Sequence, residues 1–291
     1  MSAKKHVSER PRPKKHLDHD GLFLGKRKLG ERSLQKYEIL GYYCELFSCG
    51  MKEKWSTRVY IDAFCGPGRG KIKDTDNIVE TSPFMALRVS VPFTHYIFCD
   101  KDKKSVDALK HRVESAFGNK RNVKYVPGDI NECYPEIIKH IPPIGLKLCF
   151  IDPWDIGIHF NTVKQLTNVN NIDFLTLLAL QMDARRNIAK YERPNSKKVE
   201  NFLGMPNWRE AWKEYNRLHG NKFIRFLAEM YAKRMADIGY RDLPIDRMVL
   251  FGVSQLDLYY LALFSKANRA YHFWSQVLKY APSQGSFDFM H

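Results

Sequence analysis

Five strand-length apolar runs, at 59–64, 96–99, 123–126, 146–151 and 174–180, are mostly continuous rather than alternating. A continuous run of this length suits a strand covered on both faces, whereas a half-exposed strand alternates apolar and polar residues. Helical patterns at 33–48, 82–90, 103–117, 131–140 and 160–168 fall before and between these runs. Strands that alternate with helices need crossover connections, so the chain is predicted to form a mainly parallel, doubly wound α/β sheet. Two later runs, 248–253 and 258–264, break the alternation because only residues 254–257 separate them. That spacing is too short for a crossover, and the pair is expected as an antiparallel hairpin.

The first run opens into Asp62-Ala63-Phe64-Cys65-Gly66-Pro67-Gly68-Arg69-Gly70. Glycines at alternate positions let a backbone turn sharply and let a ligand approach where Cβ atoms would stand in the way. Two readings are open: a cradle for a nucleotide-like cofactor, or a tight structural turn. The spacing is neither the dinucleotide fingerprint G-x-G-x-x-G nor a phosphate loop, which ends in Gly-Lys-Ser/Thr. The order acid-x-Phe-x-Gly-x-Gly-x-Gly resembles the first motif of S-adenosylmethionine-dependent methyltransferases. Five parallel strands closing in a hairpin resemble their seven-stranded, Rossmann-like sheet, whose final strand runs antiparallel.

That resemblance implies roles for residues at the other strand ends, the edge where open α/β sheets bind ligands. In the first loop it makes Asp62, Phe64, Cys65, Gly66, Gly68 and Gly70 cofactor-binding. Asp100, with Asp102 close behind, ends the second run and would accept from the ribose hydroxyls; either acid also suits a helix cap. Asp129 and Ile130 follow the third run and would face the adenine, again with capping as the alternative. The fourth run ends in Asp152-Pro153-Trp154. This resembles the Asp/Asn-Pro-Pro-aromatic motif of enzymes that methylate exocyclic amines of nucleobases, with one proline in place of two. The resemblance places Asp152, Pro153 and Trp154 at the acceptor side, a structural turn being the other reading. Methyl transfer depends on in-line placement more than on acid–base help, so the lack of a His/Ser/Cys constellation does not exclude it.

Charge is unevenly spread along the 291 residues, which carry a net +15. Residues 1–35 hold ten Lys/Arg against four Asp/Glu, with Pro11 and Pro13 and little apolar content. Residues 1–32 are expected as a flexible basic arm suited to a phosphate backbone, or as a solubilising tail. No apolar stretch reaches the roughly 18 residues of a membrane span, and the N-terminus has no apolar signal core, which implies a cytoplasmic protein without membrane contact. The six cysteines form no C-x-x-C pair, which points to free thiols in a reducing compartment and to no metal site. Residues 33–183 and 241–291 are expected to form the α/β domain, and residues 184–240 a helical insertion. Within the insertion Trp208, Trp212 and Tyr215, then Phe223, Phe226 and Met230, recur at helical spacing. That stripe is either a packing face or a surface for substrate.

Several collinear segments together resemble the three-Cys-motif partner proteins. They are Lys36-x-x-Ile39-Leu40 with Tyr42 and Tyr43, residues 60–68, Ser82-Pro83 with Ala86-Leu87, residues 150–153, and Leu258-Tyr-Tyr-Leu261 through Phe273-Trp274. The resemblance spans roughly residues 30–280. It implies a methyltransferase-like fold, bound S-adenosylmethionine, and a protein partner carrying a radical-type three-cysteine motif. Trp154 stands where the family has Phe, Thr81-Ser82-Pro83 where it has Gly-Ser-Pro, and residues 71–80 lengthen the path from glycine loop to helix. Ser82 then Pro83 reads as an N-cap followed by a first-turn proline. The leading expectation is a methyltransferase acting on nucleic acid. Its rivals are a non-catalytic, methyltransferase-like partner subunit, a methyltransferase of protein or small molecules, and nucleotide hydrolysis with a metal.

Overall fold

In a computed structural model, which describes residues 16–25, 28–30, 32–178, 186–253 and 256–280, the apolar runs build one seven-stranded sheet. The strands at issue are β1 (Arg58–Asp62), β4 (His95–Asp100), β5 (Val123–Pro127), β6 (Leu146–Ile151), β7 (Ile172–Leu178), β8 (Val249–Val253) and β9 (Leu256–Phe264). Their spatial order is β5-β4-β1-β6-β7-β9-β8. The first five are parallel, β9 runs antiparallel to β7, and β8 pairs antiparallel with β9. This is the Rossmann-like sheet expected from the sequence, mostly parallel with antiparallel C-terminal strands. Residues 179–180 and 254–255 of the expected strand and hairpin lie outside the described residues.

Alternation along each strand feeds two cores. Val59 and Ile61 join Ile97, Cys99, Cys149 and Ile151 on one face, while Tyr60 joins Tyr96, Phe98, Leu148 and Phe150 on the other. The second face is covered by α1 (Arg32–Met51), α2 (Ser82–Leu87), α3 (Lys103–Phe117) and α10 (Asn268–Tyr280), with Tyr43 of α1 set edge-on to Trp274 of α10 at 5.9 Å. The first face is covered by α4 (Ile130–His140), α5 (Phe160–Leu166) and the helices after β7. Those helices are α6 (Arg186–Tyr191), α7 (Lys198–Leu203), α8 (Trp208–His219) and α9 (Phe223–Asp237). Their aromatic stripe is a packing face: Trp208, Trp212, Phe223 and Phe226 are buried, and Tyr215 stacks on Trp212. Tyr231 of α9 sits 5.8 Å from both Phe160 and Phe264, which ties these helices into the core of the sheet.

Two local features depart from the sequence expectation. Residues 69–80 include a short antiparallel ribbon, β2 (Arg69–Lys71) with β3 (Ile78–Glu80). Also, in the stretch read as a flexible arm, residues 16–25 and 28–30 fold back onto the domain. Leu24 and Leu29 are buried, and Leu29 bridges to Ile72 beside the ribbon. A buried Arg112 on α3 holds this segment, donating to Asp20 through Nε (2.9 Å) and to the Phe23 carbonyl (2.9 Å), with Asp18 at 3.4 Å. Asp18 and Asp20, which lowered the arm's net charge, are the groups that anchor it. Residues 1–15 lie outside the described residues.

No helix among the described residues is long and apolar enough to cross a membrane. All six cysteines are unpaired by disulfides.

Candidate active site

Parallel strands in the order β5-β4-β1-β6 bring their C-terminal ends to one edge. Asp129, Asp100, Asp62 and Asp152 therefore lie along that edge in that sequence. The glycine loop crosses it between β4 and β6. Ala63 N–H donates to the Phe150 carbonyl (3.0 Å) and Cys65 N–H to the Cys99 carbonyl (2.9 Å), so both neighbouring strands fix its path.

Gly66 and Gly68 both adopt positive φ, +57° and +79°, but for different ends. A Cβ on Gly68 would stand 2.6 Å from Leu109 Cδ1 and 2.8 Å from Phe84 Cε2, so this glycine lets α2 and α3 close against the loop. A Cβ on Gly66 would meet nothing within 4 Å. The loop is thus open at Gly66, where a ligand could lie against bare backbone. Gly70 is in β2, packed against Leu29, with a Cβ excluded at 2.5 Å. Phe64 is half-buried against the core, and the Cys65 thiol is buried, which pushes it well above the usual thiol range and makes it a packing group rather than a nucleophile.

Asp62 is fully buried at the end of β1. Its carboxylate accepts from the Phe64 N–H (3.2 Å), the Tyr60 hydroxyl (3.3 Å) and the Ser82 hydroxyl. Burial pushes this carboxyl up to about 7, against the pull of those donors and with a further push from Asp152. The Ser82 contact corrects the expected cap. Thr81 is the N-cap of α2, Pro83 stands in its first turn, and the Ser82 hydroxyl is turned inward to Asp62.

Asp100 accepts from the Gly66 N–H through Oδ2 (3.0 Å) and from the Asp102 N–H through Oδ1 (2.8 Å). Burial raises its carboxyl while these two bonds lower it. Each oxygen keeps a second lone pair, and the residue is only half-buried, so hydroxyl donors from a ligand could still be accepted. Asp102 caps α3, taking the Lys104 N–H (3.2 Å) and the Ser105 hydroxyl (3.1 Å). Asp129 caps α4 through the Asn131 N–H (2.9 Å), is exposed, and leads into Ile130, which is buried in the core. For Asp102 and Asp129 the capping role is realised.

Asp152 forms an ion pair that sequence reading did not find: Lys36 Nζ of α1 lies 2.5 Å from Asp152 Oδ2, with the side chains 9% and 12% exposed. Lys36 stood in one of the segments that carry the family resemblance, yet nothing in that segment indicates a partner 116 residues away. Beside it the Tyr37 hydroxyl is buried, which raises it well above the usual phenol range, and Asp152 and Asp62 add to the rise. Pro153 is buried, whereas Trp154 is 49% exposed. The loop that follows is pinned by Asn131, whose amide donates to the Gly157 carbonyl and accepts from the His159 N–H, each at 2.9 Å. Asp155 in that loop pairs with Lys198 of α7 (2.9 Å). The edge thus combines an open glycine turn, a half-buried acid beside it, and a neutralised acid with an exposed aromatic next to it. Acceptor-rich groups around bare backbone fit a cationic, hydroxyl-bearing nucleoside such as S-adenosylmethionine.

Among solved structures, the chain is similar to TYW2 from M. jannaschii in complex with AdoMet, at 11% identity and a TM-score of 0.40 over 84% of this chain and 79% of that one. It is also similar to Trm1 from Pyrococcus horikoshii with S-adenosyl-L-methionine, at 10% identity and a TM-score of 0.46 over 90% of this chain, and spans 61% of Trm1. Magnesium protoporphyrin IX methyltransferase from Synechocystis PCC 6803, with bound SAH, gives 10% identity and a TM-score of 0.40 over 82% of this chain and 88% of that one. No protein-family model matches the chain, and no curated relative matches it in sequence.

Proposed function

We propose that the protein is an S-adenosylmethionine-dependent methyltransferase that modifies a nucleic acid at a base exocyclic amine. The observation that carries this reading is the single edge on which the open turn at Gly66, Asp100 and the Asp152-Pro153-Trp154 segment meet. When bound, S-adenosylmethionine supplies an electrophilic methyl group. Gly66 would cradle it with bare backbone and Asp100 would take its ribose hydroxyls, while Gly68, Asp62 and Ile130, which are buried, would shape that edge from behind. Asp152 would accept a hydrogen bond from the acceptor amine, orienting the nitrogen lone pair, and Trp154 would stack on the base. The +15 charge supports a polyanionic substrate, which residues 1–15 would help to hold. Residues 184–240 would form the subdomain that shapes the acceptor side, joined to it through Lys198 and Asp155. The resemblance to three-Cys-motif partner proteins supports a radical-type protein as an associated component.

Labelled methyl transfer from S-adenosylmethionine to total RNA and to genomic DNA tests this reading. Transfer is expected to one of them, and Asp152→Ala is expected to abolish it while calorimetry shows cofactor affinity nearly unchanged. Cofactor binding without transfer to either polymer would favour the second reading, a non-catalytic partner subunit. Wild-type turnover in Asp152→Ala would refute the acceptor-site assignment.

A further inference from the structure

Lys36 is nine-tenths buried on α1, although a lysine is seldom buried without a partner that needs its charge. Its partner is the one strand-end acid placed at the acceptor side. We propose that Lys36 is a positioning residue for methyl transfer: by engaging Oδ2 it holds the Asp152 carboxylate in place and leaves Oδ1 for a hydrogen carried by the methyl acceptor. This rests on the methyltransferase reading above and names the acceptor chemistry that the site selects.

A carboxylate without its proton only accepts, whereas a protonated one donates through one oxygen. Groups from two elements surround Asp152. From β1 comes Asp62, a second buried acid whose carboxyl is pushed up to about 7 chiefly by burial and in part by Asp152 itself. From α1 come the buried Tyr37 hydroxyl and the Lys36 ammonium. The charge of Asp152 opposes ionisation of Asp62, and among the described residues the Lys36 ammonium pairs with Asp152. Lys36 therefore sets its cation not against Asp62 but against the Asp152 carboxylate. An acceptor presented to such a group must bring an N–H or O–H, as an exocyclic amine does. A ring nitrogen without hydrogen offers Oδ1 nothing to bind.

Sinefungin and S-adenosylhomocysteine test this without knowledge of the acceptor, because sinefungin carries an ammonium at the methyl position and S-adenosylhomocysteine carries nothing there. Calorimetry on the full chain should show sinefungin bound more tightly by roughly tenfold or more, the worth of a hydrogen bond to a charged group. Asp152→Asn should bring the ratio toward one. Lys36→Met should do the same, and Lys36→Arg should restore it. A ratio unchanged or increased in Lys36→Met would overturn the proposal, since a merely structural contact leaves it unchanged and a competing cation, once removed, raises it. If Lys36→Met does not fold, Lys36→Gln, which keeps a hydrogen bond without the charge, carries the same comparison. Binding of S-adenosylhomocysteine with the wrong ratios defeats this proposal alone. Absence of binding in the wild-type protein defeats the methyltransferase reading and this proposal with it.

Discussion

Replacing Gly66 and Gly68 by alanine, one at a time, separates the two jobs that the glycine loop performs. Both residues hold positive φ, so alanine meets the same backbone cost at each, about 1–2 kcal/mol. Only at Gly68 does the new methyl collide with anything. It would lie 2.6 Å from Leu109 Cδ1 and 2.8 Å from Phe84 Cε2, and neither side chain has room to yield because both are buried in the core between α2, α3 and the sheet. Overpacking of this kind costs about 1–3 kcal/mol. The shared backbone cost cancels in the comparison, so Gly68→Ala should be less stable than Gly66→Ala by about 1–3 kcal/mol. Urea denaturation followed by far-UV circular dichroism measures this from the midpoints at a common slope. Cofactor affinity should order the variants the other way, because the Gly66 methyl projects into the open side of the turn. Equal destabilisation, or a larger loss in Gly66→Ala, would refute the division of labour between packing and binding.

Asp62 makes stability depend on pH with a definite sign. Its folded carboxyl is raised to about 7 by burial, above its unfolded value, so it contributes stability that is fully present below about pH 4 and lost as pH rises toward about 7. The swing is at most on the order of 4 kcal/mol, and Asp62→Asn should flatten the part of the pH profile that Asp62 produces; an unchanged profile between pH 4 and 7 would contradict its burial as an acid. Deleting residues 1–15, and leaving the anchored segment from 16 onward, should weaken nucleic-acid binding. The log K against log salt slope should fall in magnitude by about 0.9 for each phosphate that the arm neutralises, and an unchanged slope would count against the arm as a phosphate-binding element.

What the sequence made legible was set by the range of the interactions involved. Strand positions, the hairpin near the C-terminus and the acids at 62, 100, 129 and 152 follow from local periodicity and from the rule that parallel strands end on one edge, and among the described residues these are found within about two residues of the expected places. The capping alternatives for Asp102 and Asp129 were equally local, and were realised. Lys36 as the partner of Asp152, Ser82 as a donor to Asp62 and Asn131 as the pin of the loop after Trp154 depend on contacts across the fold, which no spacing encodes. The 16–30 segment misled for a related reason. Its composition is that of a disordered tail, but Asp18 and Asp20 meet a buried arginine that lies more than ninety residues away in sequence. Gly70 completed the glycine pattern, yet its lack of a side chain serves Leu29.

If the edge built from the glycine loop and Asp100 holds S-adenosylmethionine, isothermal titration calorimetry of the full chain with this ligand will detect it. Saturable binding is predicted for the wild-type protein and none for Gly66→Val, whose branched side chain would occupy the open turn, or for Asp100→Ala, which removes both the ribose acceptor and the bond that holds the Gly66 N–H. A wild-type protein that binds no S-adenosylmethionine, or a Gly66→Val variant that binds it as tightly as the wild type, would mean that this edge is not the cofactor site.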